Sequence, residues 1–458
     1  MTKHLLATAL VLAVSAGLAA APGPPPSWVE AERDAASRLI GAALADHHAW
    51  DRLAELTDTF GNRLAGSQSL TDMLAWAAAQ MKRDGLENVR ADKVMVPHWV
   101  RGQESAEVMA PVRHPLVMLG LGNSVGTPPE GIQAEAIVVR SFDELEAARD
   151  KVRGRIVIYN VPFTGYGETV RYRSTGASRA AALGAVGMLV RSVGQPGLRT
   201  PHTGALNYDE KVPKIPAAAV ALEDADRLQR IQDRGGTLVV RLTMGAKMLP
   251  DAESSNVIAE IVGREHPEEV VVIGGHSDSW DVGTGAMDDG GGIVAAWEAV
   301  RLMKALGLRP RRTVRVVLFV NEENGLRGGL AYRDQHQAEL ANHVLMLESD
   351  GGVFRPRGFG FTGSDGARAV IRDIASLLAG IDADRIGPGG GGADIGPAVE
   401  AGKIPSMSPD VDGTTYFIYH HTQADTVDKL DPMDMARCVA AMAVMTYVVA
   451  DMPQRLPR

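Results

Sequence analysis

Three apolar runs in the C-terminal half of the chain end, one after another, on residues that bind protons or metals. Residues 269–275 lead into His276 and Asp278, residues 313–321 into Glu322 and Glu323, and residues 343–349 into Asp350. Runs of this length, rich in Val, Leu and Ile and lacking polar alternation, read as strands buried on both faces of a sheet. Between the first two, Ile293, Trp297, Val300 and Met303 fall at helical spacing, which predicts a crossover helix. Strands joined by such a crossover lie parallel, so their carboxyl ends share one edge, where open α/β folds place their ligands. The pattern therefore predicts an α/β fold in which His276, Glu322, Glu323 and Asp350 meet despite their separation in sequence.

Carboxylates gathered at one edge repel one another unless a cation compensates them. No Lys or Arg adjoins these strand ends, which points to a metal, and imidazole mixed with carboxylate suits zinc, with manganese or cobalt as other occupants. The glycine-rich segment 285–292 lies between the first strand and its helix, and close backbone approach there lets Asp288 reach between two ions. Near the C-terminus, His420 and His421 offer a second imidazole, and the residues alone leave open which one ligates.

The rest of the chain bounds the setting. Residues 1–21 read as a secretory signal, with Lys3 and His4 before the apolar stretch 5–16 and small residues at 19–21 for cleavage. Export to the periplasm or the extracellular space is expected, with no membrane attachment after cleavage. A single cysteine, Cys438, excludes an internal disulfide, so stability must come from a large core. It sits in the apolar pattern 435–449, which reads as a core helix too short to span a bilayer. The formal net charge of −9, without a basic run, argues against nucleic acid as a partner. Helical spacing marks residues 31–45 and 69–83, with a turn-rich connection at 60–67. From about residue 105 the texture changes to short strands at 116–119, 136–139 and 155–159. A small-residue helix (176–187) and a strand (187–190) follow, and the glycine run 387–392 reads as a flexible loop.

With these residues assembled, the sequence resembles the co-catalytic zinc exopeptidase family that includes bacterial leucyl aminopeptidases and membrane glutamate carboxypeptidase. The likeness spans nearly the whole mature chain and is densest at 97–102, 126–131, 212–216, 275–283, 285–292 and 306–310. It implies a central mixed, mostly parallel sheet flanked by helices. Residues 22–104 and 247–458 would form the catalytic part, and residues 105–246 an inserted protease-associated β/α domain that narrows the cleft. It also implies two zinc ions bridged by Asp288, with His276 and Asp350 completing one site and Glu323 and His421 the other. The family's His-Thr-x-x-Asp-Thr spacing favours His421 over His420. Glu322 would be the general base acting on a zinc-bridging water. Asp278, two residues after His276 in an extended segment, is expected to accept the ring N–H of that histidine and fix its tautomer.

The implied substrates are dipeptides or short unblocked peptides, with a broader aminopeptidase as the alternative. The charged terminus would be held by the middle section or by a second copy in a homodimer. Segment 392–396 lacks the family's commoner Ser-Asp-His form, which leaves pocket preference open. The same fold also serves as a non-catalytic receptor ectodomain and as a single-zinc cyclase. The full set of ligand positions here argues against both.

Overall fold

The three apolar runs lie side by side in an eight-stranded mixed sheet of the computed structural model, which describes residues 27–197 and 199–458. The expected signal segment 1–21 falls outside the described residues. In chain order the strands of this sheet are β1 (Glu87–Val100), β2 (Lys247–Ile261), β3 (His266–His276), β4 (Arg312–Phe319), β5 (His343–Glu348), β6 (Pro356–Thr362), β7 (Arg385–Pro388) and β8 (Ser406–Val411). Their spatial order is β1-β2-β4-β3-β5-β8-β6-β7. The central strands β4, β3, β5 and β8 run parallel, and β1, β2 and β6 are antiparallel to their neighbours toward the sheet centre. Central parallel strands are covered on both faces, so their residues need no polar alternation.

The predicted crossover helix is α1 (Gly291–Ala305), with Ile293, Trp297, Val300 and Met303 fully buried. It packs beside α2 (Pro432–Asp451) on one face of the sheet. At 20 residues α2 is longer than the sequence pattern suggested, and its length and hydropathy would suit a bilayer. It is a core helix nonetheless, because 83% of its apolar window is buried inside the protein, Cys438 included. The opposite face is covered by Tyr332, Leu340 and Ala398 from shorter helical segments.

A second eight-stranded sheet is formed entirely between residues 104 and 244. Its central strands Ile132–Val139, Ile156–Tyr159, Gly187–Arg191 and Ala217–Val220 are parallel, with a separate hydrophobic cluster on each face. The small-residue helix ends at Ala182, earlier than its composition suggested, and the strand begins at Gly187. The glycine run 387–392 is not wholly a loop either. Gly387 and Pro388 belong to β7, and Gly389 bridges to Phe361. Side-chain-free backbones make that contact feasible, since a Cβ on Gly360 would stand 2.3 Å from the Gly389 carbonyl oxygen.

Candidate metal centre

Strand register brings the site together. His276, the last residue of β3, pairs with Phe319 of β4, and Gly274 pairs with Glu348 of β5. The residues that follow Phe319 and Glu348 therefore emerge beside His276. Strand β4 stops at Phe319, four residues short of Glu323, and Asn321 adopts a left-handed conformation (φ 68°) that starts a turn. Asp278 holds this turn: its carboxylate accepts the backbone N–H groups of Asn321 (2.7 Å), Glu322 (3.1 Å) and Glu323 (3.3 Å).

That arrangement corrects the role expected of Asp278 toward His276. The His276 Nδ1 lies 4.0 Å from the Asp278 carboxylate but 2.9 Å from its main-chain carbonyl oxygen, which is the acceptor of the ring N–H. The carboxylate is already committed to three amides. The tautomer is fixed with Nε2 facing the cleft, though by backbone.

Asp288 sits in a kinked segment after Gly285 (φ 58°), and its peptide bond to Asp289 is cis. The buried Asp425 carboxylate accepts the N–H groups of Met287 (2.7 Å) and Asp288 (3.2 Å). Asp289 accepts the backbone N–H of His276 at 3.1 Å. Only glycine fits at position 275 beneath it, since a Cβ there would lie 2.1 Å from the Asp289 carboxylate.

The two oxygens of Asp288 face different imidazoles. Oδ1 is 3.1 Å from His276 Nε2, which lies 3.3 Å from Asp350 Oδ1. Oδ2 is 3.2 Å from His421 Nε2, which lies 3.0 Å from Glu323 Oε2. The other ring nitrogen of His421 is 3.2 Å from the Thr203 carbonyl oxygen. His420 stacks on His421 with 3.5 Å between ring centroids, and its Nε2 is 3.6 Å from Asp288 Oδ2. Potential ligand atoms of His276, Asp288 and Asp350 lie within 4.8 Å of one another, and so do those of Asp288, His420 and His421. Of the two histidines, only His421 also reaches Glu323, and the buried Nδ1 of His420 has no hydrogen-bond partner among the described residues.

The electrostatics describe a cluster of carboxylates with too little opposing charge to leave them all ionised. Burial raises the carboxyl of Glu323 to about 7, with the charge of Asp288 adding to the effect. Burial likewise raises Glu322 well above the usual carboxylate range against the pull of His276, and the charges of Asp350, Glu323 and Asp288 act in the same direction as burial. For His276, burial works against protonation, but the charge of Asp350 and the hydrogen bonds to Asp288 and Asp350 prevail and hold the ring well above its ordinary value. Asp288 Oδ2 and Glu323 Oε1 are buried without a hydrogen-bond donor among the described residues. Orphaned carboxylate oxygens beside inward-facing imidazole nitrogens are what a divalent cation satisfies, and metal binding releases the protons that such ligands otherwise retain. The residues fit zinc.

The cleft above this cluster encloses about 300 Å³. Its walls combine Glu322, Asp350, Tyr416 and Phe417 with Tyr166 and Arg173 from the second sheet's side. Several participants carried no signal in the sequence. Arg63 is fully buried in the turn-rich connection and donates to the carbonyls of Gly61, Ser277, Thr284 and Gly285, so a cation does stand behind the site. Arg173 and Thr203 come equally from segments remote in sequence, whereas Asp425 is the aspartate of the His-Thr-x-x-Asp-Thr spacing.

The family model described as peptidase family M28 matches residues 256–446. Carboxypeptidase Q from Mus musculus is 46% identical over 428 residues, which is 93% of this chain and 91% of that protein. The Homo sapiens carboxypeptidase Q is also 46% identical, over 93% of this chain and 90% of its own. The chain belongs to peptidase family M28. The expected α/β fold and enzyme class, a metallo-exopeptidase, are those of this family. Among solved structures, a peptidase M28 precursor from Shewanella amazonensis superposes with a TM-score of 0.89 at 35% identity, covering 94% of this chain and 99% of that one. A zinc aminopeptidase from Bacillus subtilis shares the fold at 18% identity, with a TM-score of 0.67 over 88% of this chain and 95% of its own. Within the M28 frame, the matched segment contains the β3, β4 and β5 ends with Asp288 and His421, whereas Arg63, Arg173 and Thr203 lie outside it.

Proposed function

We propose that this M28 peptidase is an exported two-zinc exopeptidase that hydrolyses dipeptides or short unblocked peptides; its relatives' name, carboxypeptidase Q, supports the exopeptidase part of this reading. The observation that carries the reading is Asp288, whose two oxygens each face an imidazole with a second carboxylate behind it. His276, Asp288 and Asp350 would hold one zinc, and Asp288, Glu323 and His421 the other. His421 is preferred to His420 because its Nδ1–H is taken by the Thr203 carbonyl, which leaves Nε2 free to ligate. Zinc bound there supplies Lewis acidity toward water and the scissile carbonyl.

Glu322 lines the cleft and makes no ion pair among the described residues, which suits a general base. It takes a proton from the attacking water as the new C–O bond forms, and returns it to the amine nitrogen as the C–N bond breaks. Asp278 keeps Glu322 and Glu323 in place through their amides. Arg173 is the only Lys or Arg lining the cleft among the described residues, and it is the group to receive a free substrate carboxylate. Tyr166 and Phe417 stack with 5.0 Å between centroids and narrow the access of water. Export rests on the pattern of residues 1–21.

The test is zinc content together with turnover of Glu322→Gln on free dipeptides. Two zinc ions per chain are expected in both proteins, with turnover lowered roughly 10²–10⁴-fold in the variant. Wild-type turnover by a fully loaded variant would remove Glu322 from the mechanism. Equal cleavage of N-acetylated and free dipeptides would show that the free amine is not read.

A further inference from the structure

The histidine-bearing segment 416–421 is gripped by backbone and side chains from the second sheet, and the grip ends on the ring of His421. The Thr203 N–H donates to the His421 carbonyl at 2.9 Å, and the Thr203 carbonyl faces His421 Nδ1 at 3.2 Å. One residue thus holds both the main chain and the ring of His421, whose backbone is left-handed (φ 60°). The neighbouring His202, 3% exposed, donates from Nδ1 to the His420 carbonyl at 2.7 Å. The Gln195 N–H donates to the Phe417 carbonyl at 3.0 Å. The gripping segment is itself moored to the second sheet. Ser192 Oγ accepts the His202 N–H (3.1 Å) and donates to the Val220 carbonyl (2.9 Å), and Thr203 Oγ1 donates to the Gly120 carbonyl (2.8 Å). The ring of His202 fills the space beside Gly194, where a Cβ would stand 2.3 Å from its Cε1.

We propose that His202 is a positioning residue for His421, so that the zinc held by Asp288, Glu323 and His421 is bound tightly only when the second sheet is docked on segment 416–421. The proposal rests on the two-zinc reading above. A ligating imidazole needs an acceptor for its other N–H, and losing such a partner typically lowers metal affinity about 10–100-fold. Here the acceptor is a main-chain carbonyl that no substitution removes; Arg173 Nη1 also donates to it (3.4 Å) and Thr203 Oγ1 moors its residue to Gly120, while His202 ties the adjoining backbone to the His420 carbonyl and so sets the carbonyl against the ring. The site of His276 and Asp350 takes its ring acceptor from Asp278 and is independent of this contact. The two zinc ions should therefore separate in affinity when the contact is cut.

The experiment compares wild type, His202→Ala, His202→Asn and His202→Gln by zinc content after equilibration over a series of buffered free-zinc concentrations. Fold is followed by near-ultraviolet circular dichroism. Asn sets its amide N–H where Nδ1 was, and Gln sets it nearer the position of Nε2. Wild type and His202→Asn should hold two zinc ions over the same range. His202→Ala and His202→Gln should keep one and release the other at free zinc about 10–100-fold higher. The Asn–Gln comparison decides the matter if the alanine variant does not fold. Two ions held with wild-type affinity by the Gln variant, or loss of both ions together from a folded variant, overturns the proposal. A wild-type protein with fewer than two zinc ions overturns the two-zinc reading and this inference with it.

Discussion

Replacing Arg63 by methionine tests whether the loop between His276 and Asp288 is held from behind. The side chain is fully buried and donates to four carbonyl oxygens: Gly61 at 2.9 Å, Ser277 at 3.1 Å, Thr284 at 2.6 Å and Gly285 at 3.0 Å. Burial lowers the guanidinium to about 10, against the pull of Asp425 and Asp278, so it remains charged at neutral pH. Hydrogen bonds from a charged donor contribute about 1.5–3 kcal/mol each, and four at the lower figure sum to about 6 kcal/mol. Methionine also removes the desolvation cost of the buried charge, several kcal/mol, so the net loss should be about 3 kcal/mol. Lysine keeps the charge but cannot fork to four acceptors, and Arg63→Lys should lose a similar amount.

The assay is guanidinium chloride unfolding in the presence of a chelator, followed by tryptophan fluorescence, since the buried Trp280 sits in the affected loop. Three of the four carbonyls lie between His276 and Asp288, so zinc affinity should fall along with stability. A methionine variant within about 0.5 kcal/mol of wild type, the ordinary scatter of an innocuous surface change, would refute the reasoning.

Two further outcomes follow from individual side chains. Arg173→Ala should raise KM for dipeptides with a free carboxylate by about tenfold or more, as for loss of one charge-assisted hydrogen bond, while C-terminally amidated dipeptides are spared; an equal loss on both would count against carboxylate recognition. Glu32 is buried near Asp451, and burial first, then that neighbouring charge, raises its carboxyl from 4.5 to about 7 against the pull of Arg264 and Arg311. The folded protein binds this proton more tightly than the unfolded chain, so the contribution is complete below pH 4.5 and is lost as pH rises through about 7. Glu32→Gln should therefore be the more stable protein at pH 8, by about 1 kcal/mol after allowance for solvent screening, and equal to wild type at pH 4; thermal melts at the two pH values check this.

What the sequence made legible was whatever depended on local pattern. The unbroken apolar runs and the spacing of Ile293, Trp297, Val300 and Met303 contained β3, α1, β4 and β5, and parallel pairing then brought His276, Glu322, Glu323 and Asp350 to one edge. Spatial order was not legible, because nothing in β4 or β5 says which side of β3 each will take. Hidden too was everything that depends on a buried polar group finding a distant partner. Arg63 sits in a turn with no marker of burial, and Arg173 and Thr203 meet His421 only because two sheets come together. Asp278 shows the limit of spacing as a guide. Alternation correctly put it near His276, but three amides of the next loop compete for the same carboxylate, and they hold it.

The pairing of Val100 with Lys247 has a consequence for how this chain tolerates change. Residues 101–246 leave and return at opposed positions of one antiparallel ladder, with Cα atoms about 5 Å apart. Their ends are already joined, so closing the intervening chain costs entropy that grows only as the logarithm of its length. Lengthening, shortening or exchanging that stretch should scarcely burden the folding of the sheet that carries His276 and Asp288. What such an exchange would sacrifice is the remote contact at His421, so the same junction permits wide variation in architecture while tying metal retention to one particular occupant.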